Sequence, residues 1–183
     1  DAYVQSTLAE AASLGYDTNK SGLKIYTNMD SNLQQSMYDN ANGTAVTFPS
    51  ADTQIGATMT DPSNGNVVAQ IGGRNLKTLQ GTNHARLKTR SSGSSIKPLL
   101  DYGPAIEYLN WPTYRTVEDK EYKYAGTDKN LSNWDGKFMG NITMRTALTQ
   151  SRNTPAARTL EDVGGTDAGK FINGIGVPID HTP

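Results

Sequence analysis

Apolar and polar positions along this chain fall into short periodic blocks separated by turn chemistry. Residues 1–20 are polar with weak helical patterning and read as a leader or linker into the domain. Leu23-Lys24-Ile25-Tyr26-Thr27 alternates apolar and polar residues of high β propensity, which predicts a strand. Asp30 then precedes a segment in which Leu33, Met37 and Ala41 recur at four-residue spacing, the mark of a short helix with an aspartate cap. Residues 54–60 and 66–72 are β-favouring runs on either side of Asp61-Pro62-Ser63-Asn64-Gly65. Pro after Asp starts a turn and Asn-Gly supplies positive φ, so these runs predict a hairpin. Residues 42–52 and 73–93 read as irregular. The basic block Arg86, Lys88 and Arg90 has no interleaved aromatics and reads as a solvated loop.

From Ser94 the pattern turns helical, and a proline sets its phase. Pro98 has no N–H and is tolerated only in a first turn, so a helix through Ile96–Leu100 must begin close to Ser94. Gly103-Pro104 is expected to break or restart it before Ala105–Leu109. Residues 110–140 read as loop with scattered aromatics. A helix over Thr143–Gln150 is capped by Thr143. Another opens at Thr154 with Pro155 in its first turn and ends at Gly164-Gly165. A last short helix, Asp167–Asn173, is capped by Thr166. Ser151-Arg152-Asn153 is thereby squeezed into the corner between two helices.

Composition narrows the chemistry. The 183 residues are enough for one domain, with 35% apolar residues and a formal net charge of −1. A balance so near zero offers no electrostatic footprint for nucleic acid. There is no cysteine, and the two histidines, His84 and His181, sit in no metal-binding or triad pattern, so no metal and no cofactor are expected. No apolar run approaches the ~20 residues of a membrane span, and a soluble chain is expected. What remains is chemistry built from hydroxyls, amines, amides and carboxylates.

Two short segments supply such groups. Ser94-Ser95-Ile96-Lys97 puts a hydroxyl and an amine on one face of a helix start. Serine is a weak nucleophile until a base takes its proton, and a lysine amine of lowered pKa is the candidate base here. The alternative is a serine-capped helix with an exposed lysine. Ser21-Gly22-Leu23-Lys24 has the same spacing but leads into the strand, which would turn the two side chains apart. Ser151-Arg152-Asn153 sets a hydroxyl and an amide side by side, or else simply caps the helix that follows.

In context these segments resemble known wording. Gly93-Ser94-Ser95-Ile96-Lys97-Pro98 resembles the G-S-x-x-K-P block of penicillin-binding proteins, and Ser151-Arg152-Asn153-Thr154-Pro155-Ala156 their S-R-N-x-P-A block. Thr60–Gly65 with Val68–Gly73 looks like the family's D-P-x-x-G hairpin. Gly22–Asp30 with Leu33-Gln34 is similar to the strand and helix that open its domain, and Asn133-Trp134-Asp135 and Gly140–Thr143 also match. The likeness is strongest to the class A, bifunctional type.

The resemblance implies an α+β fold in which an antiparallel sheet is sandwiched by helices, and a DD-transpeptidase acting on peptidoglycan stem peptides. It makes Ser94 the acylated nucleophile, Lys97 its general base and Ser151 the proton relay to the leaving amine. Asn153 would hold the substrate's peptide amide, with Trp134 near the same corner. β-Lactams would acylate Ser94. The parent protein would carry a glycosyltransferase domain and a membrane anchor, and work on the extracytoplasmic face of a bacterial membrane. A binding-only sensor or scaffold, or a hydrolytic relative (a carboxypeptidase or β-lactamase), is the alternative on the same nucleophile. The family's third motif, K-[ST]-G, lies well after the S-x-N block. Here Lys20-Ser21-Gly22 precedes both other motifs and reads as a decoy. Residues 21–183 are therefore expected to be the first portion of the transpeptidase domain, inactive without the remainder.

Overall fold

In a computed structural model, residues 1–77, 81–87, 90–124 and 126–177 are described. They divide into two compact units, the first over Asp1–Arg90 and the second opening at Ser91. Lys88 of the basic block, with its neighbour Thr89, lies outside the described residues.

The first unit is a hairpin with two helices. Residues expected to be a weakly helical leader form a full helix, α1 (Ala2–Ser13), whose Asp1 carboxylate accepts the Tyr3 N–H at 2.7 Å. Burial of only Tyr3 and Ala11 is enough to hold it, helped by the Tyr3 hydroxyl donating to Val67 O at 2.8 Å. Helix α2 (Ser31–Asn42) starts where expected, with the Asp30 carboxylate accepting from Asn32 N and Leu33 N. Strands β1 (Ala57–Thr60) and β2 (Val67–Ile71) form the expected antiparallel hairpin, running from Ala57 opposite Ile71 to Thr60 opposite Val67. Gly65 supplies the positive φ, +78°.

Leu23–Thr27 forms no strand, contrary to its alternation. The outer edge of β2 is already occupied: Asp30 N–H donates to Val68 O, and the Gln34 side chain both donates to Gln70 O and accepts from Gln70 N. A side-chain amide thus takes the place a ladder neighbour would fill, and the alternating segment cannot pair along β2.

The second unit opens with one unbroken helical stretch. A 3₁₀ turn, Gly93–Ile96, leads through Lys97 into a π-helical turn, Pro98–Tyr102, and then α3 (Gly103–Leu109). The expected break at Gly103-Pro104 is absent because the wider π turn absorbs it, with Gly103 N–H donating to Pro98 O five residues back. A Cβ on Gly103 would lie 2.7 Å from that oxygen and 2.9 Å from the Phe171 ring, so the position requires glycine.

Residues 110–140, expected to be loop, contain strands. β3 (Thr116–Asp119) pairs antiparallel with β6 (Gly140–Thr143), and β4 (Tyr122–Lys123) with β5 (Asn130–Leu131). These strands are two to four residues long and largely polar, too short to show a period of two. Three helices follow: α4 (Met144–Thr149), α5 (Asn153–Val163) and α6 (Gly165–Gly174). Thr143 caps α4 as expected, accepting from Thr146 N. The caps of the other two lie upstream of the expected Thr154 and Thr166, at Arg152 and Gly164; in α5 the Thr154 hydroxyl turns inward to Asp119 instead of capping.

The core joins Tyr102, Val117, Met144, Ala147 and Ala156 to a second cluster of Ala105, Val163 and Ala168, with Trp111 packed against both. The α+β class therefore holds. Among the described residues its strands pair as three separate two-stranded ladders.

Candidate active site

The helical stretch that opens the second unit positions the first two groups. A 3₁₀ turn has three residues per turn and eclipses positions i and i+3, so Ser94 and Lys97 stand on one face. Lys97 N–H donates to Ser94 O, tying the two together through the backbone. Ser94 is exposed, whereas the Lys97 side chain is buried, at 7% exposure. The reading of an exposed lysine behind a serine cap is thereby set aside.

The Lys97 amine points into the corner between α4 and α5. Its Nζ donates to Asn153 Oδ1 at 2.6 Å, to Ser151 O at 2.8 Å and to Ser151 Oγ at 3.3 Å. Burial pushes its pKa down; the Asp101 carboxylate one helical turn on opposes this, and the Arg152 guanidinium adds to it. Asp101 is itself buried, and burial pushes it up to about 7 against the pull of Lys97. Among the described residues no hydrogen bond joins the Ser94 hydroxyl to Lys97.

The corner is an unusual piece of backbone. Ser151 has φ +50°, a left-handed conformation that costs a non-glycine residue roughly 1–2 kcal/mol. Arg152 is then extended, at φ −66° and ψ 132°. Alternation through that extended residue sends Ser151 and Asn153 to the lysine side, and Arg152 and Thr154 to the interior. This is the physical content of the S-x-N spacing.

On the interior side the side chains converge on Asp119, at the end of β3 and 0% exposed. Its carboxylate accepts from Arg152 Nε at 2.8 Å, Thr154 Oγ1 at 2.7 Å, Asn133 Nδ2 at 2.7 Å and Met139 N at 3.0 Å. Burial alone would raise its pKa; the donors, Thr154 first, outweigh that and hold it below the usual carboxylate range. Arg152 reaches on to Asp135 at 2.9 Å and to the Lys137 carbonyl. Asn133 closes the assembly, its Oδ1 accepting from Asn153 N and Thr154 N. Trp134, the next residue, is 71% exposed, and its indole N–H donates to Gln150 O, immediately before the corner.

So Lys97, Ser151 and Asn153 meet directly, Ser94 stands one turn before Lys97, and Trp134 flanks the corner. Sequence reasoning missed Asp101, Asp119 and the inward roles of Arg152, Thr154 and Asn133. Arg152, Thr154 and Asn133 had a signal only as parts of matching phrases, whereas Asp101 and Asp119 lie in none. Among the described residues no cluster of His, Asp and Glu that could hold a metal ion is formed.

Residues 55–180 match the family described as the penicillin-binding protein transpeptidase domain. The chain belongs to that family. As a penicillin-binding protein segment it is 41% identical to penicillin-binding protein 1A of Streptococcus oralis over 167 residues, 89% of this chain and 26% of that protein. It is 42% identical to penicillin-binding protein 1A/1B of Bacillus subtilis over 161 residues, 88% of this chain and 17% of that protein. The chain thus spans about a quarter or less of the curated relatives it matches. In fold it is similar to the penicillin-binding protein PonA1 from Mycobacterium tuberculosis, with a TM-score of 0.71 and 21% identity over 94% of this chain and 44% of that one. The same protein in complex with penicillin V gives 0.70. Among the described residues no helix of this penicillin-binding protein segment is long and apolar enough to cross a membrane.

Proposed function

We propose that this chain carries the nucleophile and proton-transfer groups of a serine-type peptidoglycan DD-transpeptidase. One observation carries the reading: a buried lysine, its amine depressed in pKa, shares a face with Ser94 and donates into Ser151 and Asn153. In the neutral form Lys97 takes the Ser94 proton as Oγ attacks the carbonyl between the two terminal D-alanines of a stem peptide. Ser151, in contact with the same amine, passes a proton to the departing D-alanine nitrogen, and the peptidyl chain remains as an ester on Ser94. The amine of a second stem peptide then attacks the ester, a new amide forms, and Ser94 regains its proton. Asn153 holds the substrate's peptide amide and Trp134 lines the approach. A β-lactam offers a strained amide to the same hydroxyl and stalls at the ester.

No cofactor or metal has a part in this chemistry. The same reading places the full-length protein at the extracytoplasmic face of a bacterial membrane, anchored there and joined to a glycosyltransferase domain, with the remainder of the transpeptidase fold completing the cleft. The test is labelling of the full-length protein with a fluorescent penicillin, followed by intact-mass analysis. One adduct per molecule is expected, located on Ser94 and lost in Ser94→Ala. An adduct that survives that substitution would overturn the assignment.

A further inference from the structure

The corner that presents Ser151 and Asn153 is held from behind, not from the site side. We infer that Asp119, paired with Arg152, is a positioning residue for the acylation reaction: it fixes the left-handed corner so that the Ser151 hydroxyl and Asn153 amide meet the Lys97 amine. The inference rests on the transpeptidase reading and deepens it.

Three observations carry it. First, the anchored and the functional residues alternate along one short stretch. Arg152 and Thr154 both end on the Asp119 carboxylate, at 2.8 and 2.7 Å, while Ser151 and Asn153 both end on Lys97 Nζ. A shift of either anchor moves its neighbour on the opposite face. Second, the main chain of the same stretch is held by the same cluster, since Asn133 accepts from Asn153 N and Thr154 N while donating to Asp119. Third, this ion pair is an expensive way to hold a fold. Arg152 and Asp119 are 2% and 0% exposed. A buried pair of charges is often no more stabilising than apolar residues of the same volume. What it supplies is direction: four donors, from Arg152 and Thr154 at the start of α5, the Asn133 loop and Met139 just before β6, meet one planar carboxylate and constrain the placement of residues 151–154.

The charges that face the cluster are Asp135 on Arg152, through Nη1, and Lys97 on the other side of the corner; Asp101 faces Lys97 rather than Asp119. Asp119→Asn keeps the shape but leaves a single acceptor oxygen and turns an N–H₂ toward groups that are themselves donors.

The experiment follows fluorescent penicillin labelling of the full-length protein under single-turnover conditions, separating three readouts: the rate at saturating penicillin, the half-saturating concentration and the final labelled fraction. Ser94→Ala, Asp119→Asn, Arg152→Met, Thr154→Val and the Asp119→Asn/Arg152→Met double variant are compared. With Asp119→Asn the saturated rate is expected to fall about 100-fold, the scale of a 1 Å misplacement of reacting groups. The labelled fraction of folded protein stays near one. Arg152→Met behaves alike, and the double variant is no slower than the slower single one, because both remove the same constraint. Thr154→Val, which removes one bond from a carboxylate that keeps its charge, slows labelling about fivefold. It carries the test alone if Asp119→Asn yields no folded protein.

A purely structural role lowers the labelled fraction or the melting temperature but leaves the saturated rate of the folded molecules at the wild-type value. That result, or multiplicative rates in the double variant, overturns the pair as a positioning device while Ser94→Ala still abolishes labelling. Labelling that persists in Ser94→Ala overturns the nucleophile, and the inferred role with it.

Discussion

Replacing Ser151 by glycine and by alanine separates the conformation of the corner from the hydroxyl it presents. Both substitutions remove the same contact, Ser151 Oγ to Lys97 Nζ at 3.3 Å, and both leave that amine its bonds to Ser151 O and Asn153 Oδ1. They differ at the backbone. With φ at +50°, alanine keeps the left-handed penalty of roughly 1–2 kcal/mol that serine bears, whereas glycine is free of it. Glycine in turn gains freedom in the unfolded chain, which offsets about 0.5–1 kcal/mol. The glycine variant should therefore be more stable than the alanine variant by about 0.5–1 kcal/mol, or about 1–4 °C in Tm for a domain of this size. Thermal melts of the two variants of the full-length protein, followed over the transpeptidase transition, measure the difference. Penicillin labelling in the same samples should be slowed in both. Alanine equalling or exceeding glycine in Tm would show that the corner is not strained, and wild-type labelling by either variant would remove the hydroxyl from the reaction.

Two further substitutions probe the buried polar groups. Asp101, near 3.8 when unfolded and pushed up to about 7 by burial, contributes stability that is present in full below its unfolded pKa and is lost as pH rises through about 7. Asp101→Asn should flatten the fall in Tm across that window. Because the Asp101 charge also holds the proton on Lys97, the variant should move the acid limb of penicillin acylation to lower pH, and an unmoved limb would count against the coupling. Asn133→Ala leaves two backbone N–H groups, Asn153 and Thr154, without their acceptor and Asp119 with one donor fewer; a loss of about 2–4 kcal/mol is expected. Denaturant unfolding with an unchanged m-value checks it, and a loss under about 0.5 kcal/mol would show that these bonds do not hold the corner.

Legibility varied with the range of the forces involved. The Asp30 cap, the Asp61–Gly65 turn and the Thr143 cap were readable because each is settled by contacts within a few residues. So were Ser94 and Lys97, whose shared face is a property of helical geometry. Where a long-range partner competed for the same group, local rules failed. Thr154 is a good cap residue, yet its hydroxyl goes to Asp119, 35 residues away in sequence. Leu23–Thr27 has a strand's alternation, yet β2's edge is occupied by Gln34. Gly103-Pro104 reads as a stop, yet a π turn packed on Phe171 carries the helix through.

By itself, then, the sequence determined the two motifs, the helix phase that aligns Ser94 with Lys97, and, through wording spread over most of the chain, the family. Tertiary structure alone decided that the lysine is buried rather than solvated, that it reaches across to Ser151 and Asn153, and that Asp119 and Arg152 hold the corner from behind. The reason is physical. Desolvation and convergence of hydrogen bonds depend on which distant residues share a site, and neither leaves a local pattern in the chain.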